Sequence, residues 1–495
     1  MDSIAVTSSG QLRGTTTDGI TAYLGIPYAA DPVGPKAFQA PEPAPAWDGV
    51  RDATALGATS PQPPYEPPYD VLLTNPLNPG SEYLNLNVWT PGGSGLPVLV
   101  WLHGGAFRNG SNATPAYDGT AFARDGVVLV SVNYRLGVQG FGVLTDAPSN
   151  RGLLDQLAAL RWVQENIAAF GGDPGRVTIA GQSAGGMSVA TLMSIPSAKG
   201  LFQRAIVQSG SATATALAAD GAIITAEVAK RLDVEPTAAG FASVTTDDLL
   251  AAQRVVALEL RQSPDPTRWG ATVVSAGGGI MPFFPVIDGE LIHERPIDAL
   301  TGGAAAGVDL LTGVTSEEMR LFSIPSGLAA GVTAEALPVL LGRQGVPPAI
   351  VAAYVANRPG LTPGEVYGDI VGDGFFLLPT LQLAAAQRAH ATAYLYEFGW
   401  KSPLEGLGAC HALELPFVFD TLATATSPLY GAEPPQQVAD QMHAAWVAYV
   451  VTGRPGWSPY DATTRPVMTF GQPDSLLVED PRAAELALWS QPTSD

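Results

Sequence analysis

A serine hydroxyl attacks a carbonyl only when an imidazole takes its proton and an acid orients that imidazole. In the run FGGDPGRVTIAGQSAGG (170–186), Ser183 stands between Gly181 and Gly185, directly after a short apolar stretch. The spacing G-x-S-x-G after a strand signal reads as strand, sharp turn and a helix starting near Ala184. Such a turn holds its serine at positive φ, leaves no room for a Cβ two positions away, and sets the hydroxyl at a helix N-terminus, where developing negative charge is favoured. A plain glycine-rich turn would look much the same, so the motif alone does not establish chemistry.

Its partners must come from elsewhere in the chain. In turns of this type the order is serine, acid, histidine, and His293, His390, His411 and His443 follow Ser183. His443 sits mid-helix in QVADQMHAAWVAYV, where it reads as a surface or packing residue. His390 lies in another helical run, and His293 precedes any suitable acid loop. His411 closes the loop GLGAC after an apolar run at 392–400, and it is the favoured base. The stretch LLTGVTSEEM leaves a buried strand carrying Glu317 and Glu318, and position alone does not choose between them. An oxyanion needs backbone N–H donors, and WLHGGAF (101–107) supplies a glycine-rich loop directly after a strand. Gly105, Ala106 and Ala184 are the expected donors. His103, inside that loop, reads as a support for it.

These groups need a rigid frame. From about residue 85 onward, apolar β-rich runs alternate with helical periodicity, the pattern of a parallel or mixed sheet flanked by helices. Buried strands are predicted at 98–102, 127–132, 177–180, 205–208 and 310–312. Between the second and third, Leu153, Leu157, Leu160, Val163 and Ile167 fall at helical spacing, as a crossover helix requires. Alanine-rich helical insertions are expected near 217–260 and 332–357, and 61–79 reads as a surface loop.

Composition narrows the partners. With 25 basic and 46 acidic residues, a formal charge of −21 disfavours nucleic acid and, at long range, anionic substrates. No apolar run approaches the ~20 residues that span a bilayer. The opening MDSIAVTSSG lacks a basic segment followed by an apolar one. The single cysteine, Cys410, excludes an internal disulfide and reads as a small buried hydrophobe. A cytoplasmic monomer is expected. No ligand cluster with metal spacing occurs, and no metal or organic cofactor is implied.

The chain resembles the type B carboxylesterases, the cholinesterase-like branch of the α/β-hydrolases, and especially the bacterial p-nitrobenzyl esterase-type enzymes. The shared landmarks run from YLGIPYA (23–29) through NYRLG (133–137), LLDQLAALRWV, the Ser183 segment, AIVQSGS (205–211) and FFPVIDG (283–289) to HALELPFVF (411–419). This resemblance implies one α/β-hydrolase domain over 1–495, a large mostly parallel sheet with the helical insertions capping a gorge. It implies Ser183 as nucleophile, Glu318 as acid and His411 as base, because the acid ends the run Gly-Val-x-x-[Asp/Glu]-Glu. It further implies that Ser209 lies near the acid and that Arg135 and Asp155 form an internal ion pair. Phe107, Phe322, Phe375 and Phe376 are candidate pocket walls. The activity implied is hydrolysis of short- to medium-chain and aryl or benzyl carboxylic esters by water through an acyl-enzyme. An amidase, carbamate hydrolase or lactonase would use the same residues, and a non-catalytic binding protein would keep only the fold. The chain departs from the family pattern at Tyr83, where a cysteine is usual, and at Ser81 and Ala37, where both ends of one salt bridge are missing. The N-terminal packing is what those departures put in question.

Overall fold

The computed structural model describes residues 2–489 apart from 278 and 473. The strands are β1 (Asp2–Thr7), β2 (Gly10–Thr17), β3 (Ile20–Pro27), β4 (Val50–Asp52), β5 (Asn85–Thr90), β6 (Leu96–Leu102), β7 (Val128–Val132) and β8 (Gly172–Gln182). They continue as β9 (Arg204–Gln208), β10 (Ala216–Leu217), β11 (Val286–Ile287), β12 (Asp309–Thr315), β13 (Ala393–Phe398), β14 (Pro466–Phe470) and β15 (Leu476–Glu479). Thirteen of them form one sheet in the order β1-β2-β3-β5-β7-β6-β8-β9-β12-β13-β14-β15, with β4 beside β2. From β7 to β14 every neighbouring pair is parallel, and the margins are antiparallel.

Parallel strands need helical crossovers on both faces, so their residues are apolar throughout. β6 shows this plainly. Val98, Val100 and Leu102 enter one core, while Leu99 and Trp101 enter the other. Helix Arg151–Asn166 covers the first face with Leu153, Leu157, Leu160 and Val163, the stripe read from the sequence, and Ile167 follows in the next turn. Helix Gln436–Thr452 covers the second with Trp446 and Tyr449.

The core strands lie where the apolar runs predicted them, but the ladder sets their ends. β8 begins at Gly172, five residues before the predicted 177, because Leu96 of β6 already pairs with Gly172 across a register shift. Likewise β12 extends to Thr315, which pairs with Phe398. The antiparallel strands β1 to β3 fall before residue 85, outside the region where the sequence reading found a sheet. Their signal was the Asp18-Gly19 pair between β2 and β3, whose φ values of 49° and 83° suit a tight hairpin turn. Helices Ala218–Arg231, Ala238–Ala242 and Thr246–Gln262 occupy the first predicted helical segment, and Ala336–Arg343 and Pro348–Asn357 the second. The predicted loop at 61–79 contains a short helix, Tyr69–Leu72.

The expected internal ion pair is present and buried. Arg135 Nε and Nη2 reach Asp155 Oδ2 and Oδ1 at 2.8 and 2.6 Å, both side chains being fully buried. Arg135 Nη1 also donates to the carbonyls of Ala37 and Gln39, tying the N-terminal segment to the sheet. At the departures from the family pattern, other contacts take over. Ser81 Oγ donates to Asp31 at 2.8 Å, the Tyr83 hydroxyl to the Pro32 carbonyl at 3.1 Å, and Arg51 pairs with Glu82.

Among the described residues, no helix is long and apolar enough to cross a membrane.

Candidate active site

Four loops leaving the carboxyl ends of β6, β8, β12 and β13 meet above the sheet, where open α/β sheets place their ligands. β8 ends at Gln182, and Ser183 turns the chain into helix Ala184–Ser194 with φ 56° and ψ −126°. A Cβ on Gly185 would lie 2.0 Å from the Leu102 carbonyl oxygen, and one on Gly181 would lie 2.4 Å from the Gly185 carbonyl carbon. Both glycines are therefore required by contact. Ser183 N donates to the Gln208 carbonyl at 2.9 Å, which locks the turn to β9. Ser183 is partly exposed between buried neighbours.

The loop after β6 presses against this turn: a Cβ on Gly104 would meet Ser183 Cβ at 3.1 Å. Gly105 and Ala106 hold φ of 120° and 55° and are partly exposed. The N–H groups of Gly105, Ala106 and Ala184 donate to no acceptor among the described residues. His103 supports the loop as expected. Its ring stacks on Tyr134 at 4.4 Å, its Nδ1 meets the Gly104 carbonyl at 2.9 Å, and the Tyr134 hydroxyl donates to the His103 carbonyl at 2.6 Å. Burial lowers its pKa to about 4, so it stays neutral in the working range and donates from Nδ1. That bond orients the Gly104–Gly105 peptide, whose N–H points the opposite way from its carbonyl.

Beyond β12, the geometry separates the two glutamates. Glu318 Oε2 lies 2.5 Å from His411 Nδ1, and its Oε1 accepts from Thr315 N at 2.8 Å. Glu317 turns away to clamp the histidine loop, accepting from Ala409 N at 2.8 Å and from Ser316 Oγ at 2.6 Å. Burial alone would raise the Glu317 carboxyl; the Ser316 and Ala409 bonds outweigh it and hold it below its ordinary range. Its own N–H donates to the Ala409 carbonyl. Ser209, at φ 45°, binds the Gly313 carbonyl through its N–H, while its Oγ is buried without a partner. Phe322 and Phe376 stand against His411 at ring separations of 5.3 and 4.9 Å. Phe375 stacks edge-on to Phe376. Phe107 is fully buried and packs on Phe141 instead.

The other histidines are engaged elsewhere. His443 is buried between the Val418 carbonyl and Asp125, His390 binds the Thr301 carbonyl, and His293 binds the Gly289 carbonyl. Cys410 is wholly buried, and burial pushes its thiol far up.

Two residues escaped the sequence reading. Gln182 Nε2 lies 3.2 Å from His411 Nε2, and its Oε1 lies at Gly104, so the amide bridges the imidazole and the donor loop. With Nδ1–H held by Glu318, Nε2 is the lone-pair nitrogen and the amide donates to it. The only signal was a polar side chain at the variable position of the serine motif. Glu414 is the second. It is fully buried, takes Gln208 Nε2 at 3.1 Å on one oxygen, and leaves the other without a partner. Burial first and the Glu318 charge second raise its pKa to about 7. An acid isolated within HALELPFVF was its trace in the sequence.

The model of the Carboxylesterase family matches residues 1–489. The chain belongs to this family. It is a carboxylic ester hydrolase of the α/β-hydrolase fold. It is 38% identical over 490 residues to para-nitrobenzyl esterase of Bacillus subtilis, with 93% of each chain covered. To phenmedipham hydrolase of Pseudarthrobacter oxydans it is 33% identical, covering 96% of this chain and 97% of that one. The crystal structure of the Geobacillus stearothermophilus carboxylesterase EST55 superposes with a TM-score of 0.84 at 36% identity, over 98% of this chain and all of that one.

Two outcomes follow from these contacts. In Gln182→Glu a carboxylate beside Nε2 favours the imidazolium, so if His411 is the base of the reaction, it is freed at higher pH. The acid limb of the kcat/KM profile should move up by about one pH unit, and an unmoved limb would show that the amide contact is silent. Glu414 has a folded pKa raised above its unfolded one, so its contribution is full below about pH 4.5 and is lost as pH rises through 7. Glu414→Gln should therefore gain stability relative to the parent between those pH values, by up to about 3 kcal/mol, as read by urea unfolding at each pH.

Proposed function

We propose that Ser183 is the nucleophile, His411 the general base and Glu318 the acid that orients it. The observation that carries this reading is the 2.5 Å contact of Glu318 with His411 Nδ1, whose other nitrogen reaches the residue next to Ser183. In the resting geometry His411 Nε2 is taken by the Gln182 amide. It is to exchange this partner for the Ser183 hydroxyl as substrate enters. Ser183 Oγ then bonds to the ester carbon while its proton passes to Nε2. The negative oxygen meets the N–H groups of Gly105, Ala106 and Ala184. Collapse breaks the bond to the alcohol, which leaves with the proton from His411. Water then gives a proton to the same nitrogen, attacks the acyl carbon and releases the acid, and Ser183 regains its hydrogen. Glu318 orients the imidazole and stabilises the imidazolium that forms.

The substrates proposed are short- to medium-chain esters and esters of aryl or benzyl alcohols. The rings of Phe322 and Phe376 against the base support an apolar, planar binding wall. The similarity to a para-nitrobenzyl esterase points the same way. We take the chain as one catalytic unit in which the helices after β9 and β12 cap the site, since Gln253 of helix Thr246–Gln262 receives the N–H of Val138 beside the sheet at 2.9 Å. The lone buried Cys410 supports a cytoplasmic setting.

Ser183→Ala should cost on the order of a millionfold in kcat and abolish covalent labelling by a fluorophosphonate in intact-mass spectra; retained turnover of a purified sample would refute the nucleophile. In a p-nitrophenyl ester series, kcat/KM should favour butyrate over palmitate, and the reverse order would refute the proposed chain-length range.

A further inference from the structure

The most unusual charge near the site is Arg108, three residues beyond Gly105 in the donor loop. Arg108 is half-buried, and other guanidiniums that reach into the fold are satisfied. Arg135 meets Asp155, Arg320 meets Asp369 and Arg358 meets Glu485. Arg151, with no acid at hand, donates to the carbonyls of Gln139, Pro148, Val138 and Gly142. Arg108 does neither. Among the described residues it has no ion pair and no side-chain hydrogen bond, and its Nε is buried without a partner. In a chain with 46 acidic and 25 basic residues, a cation left unpaired within the fold calls for a partner from outside.

Its loop is the one that packs against the Ser183 turn. Its N–H bonds the Gly105 carbonyl at 3.0 Å, in the loop that carries the proposed oxyanion donors. Gln62 and Asn109 hold the segment at 62–63 against that loop. That segment leads to Tyr65 and Glu66, which face Arg108, and on to Tyr69, whose hydroxyl donates to the Phe322 carbonyl at 3.1 Å beside His411. Glu66, the acid whose charge favours that of Arg108, is engaged by Arg254. A second guanidinium, Arg261, at the exposed end of helix Thr246–Gln262, has no ion pair either and lies close enough to disfavour the Arg108 charge after burial itself. Two guanidiniums that repel each other, neither in an ion pair among the described residues, are stabilised together by one anion.

We infer that Arg108, assisted by Arg261, binds a carboxylate carried by the ester substrate, so that the enzyme accepts half-esters and other carboxylate-bearing esters. A guanidinium presents forked donors that match a carboxylate, and desolvation beside the loop strengthens the pair. The acidic surface slows the approach of such a substrate; the pair retains it once inside. This inference rests on the serine-ester reading above.

The test compares kcat/KM for two matched pairs. One is 4-acetoxybenzoate against 4-acetoxybenzamide, with the charge on the alcohol side. The other is mono-4-nitrophenyl glutarate against 4-nitrophenyl pentanoate, with the charge on the acyl side. In at least one pair, Arg108→Gln should lower the charged-to-neutral ratio about tenfold or more. Arg108→Lys should keep most of it, and added KCl should lower the parent ratio. Should Arg108→Gln fail to fold, Arg261→Gln, on an exposed helix end, should lower the ratio a few-fold. A ratio that is unchanged by these substitutions and by salt in both pairs would overturn the inference. Loss of neutral-ester turnover in the parent enzyme would instead strike the underlying reading, and the inference with it.

Discussion

The site depends on one close approach of backbones, where the turn at Ser183 packs against the end of β6. The Leu102 carbonyl occupies the space a side chain on residue 185 would need, and Gly104 closes on Ser183 from the other side. This contact keeps the β6 loop, with its free N–H groups at Gly105 and Ala106, beside Ser183 and the first N–H of the following helix. It is possible because β6 and β8 are adjacent parallel strands, with Leu102 paired to Gly181. Strain at φ 56° is sustained by the surrounding sheet, which over-determines the turn. The cost is fixed at folding and need not be met again at each catalytic event.

Electrostatics within this frame divides the work among three carboxylates, Glu318 and Glu414 buried and Glu317 half-buried. Glu318 faces the imidazole, Glu317 is spent on clamping the loop of His411, and Glu414 lies behind with its pKa pushed up to about 7. The strongest contrast is between Glu317 and Glu414. Burial opposes the charge on both, yet Glu317 is only half-buried, accepts from Ser316 and Ala409 and faces Lys401, whereas Glu414 is fully buried, accepts from Gln208 and faces the Glu318 charge. Depth, hydrogen bonds and the sign of the neighbouring charge together set the two opposite directions.

Much of this was legible in the residues. The serine turn, the glycine-rich donor loop and the apolar strands are local patterns with local causes, and the structure carries them where they were expected. Glu317 and Glu318 are equivalent by position, and the resemblance, not the spacing, favoured Glu318; in the fold they reach different points of one loop, Glu318 the His411 ring and Glu317 the Ala409 backbone. Gln182 and Glu414 were not legible, because their roles arise from contacts with residues more than two hundred positions away. The N-terminal strands were missed for another reason: they are half exposed, so their apolar content is low and only the Asp18-Gly19 turn marks them. At two of the departures, Ser81 and Tyr83, the side chains bond Asp31 and Pro32, while at Ala37 only the backbone carbonyl is held, by Arg135.

The central claim is that three N–H groups and one imidazole converge on the oxygen and the hydrogen of a single reaction at Ser183. A crystal structure of the enzyme phosphonylated by a fluorophosphonate tests it most directly. The account expects phosphorus on Ser183 Oγ, the phosphoryl oxygen about 2.7–3.1 Å from the nitrogens of Gly105, Ala106 and Ala184, and His411 Nε2 turned from Gln182 toward the adduct. Phosphorus on another residue, or a phosphoryl oxygen directed away from those amides, would contradict it.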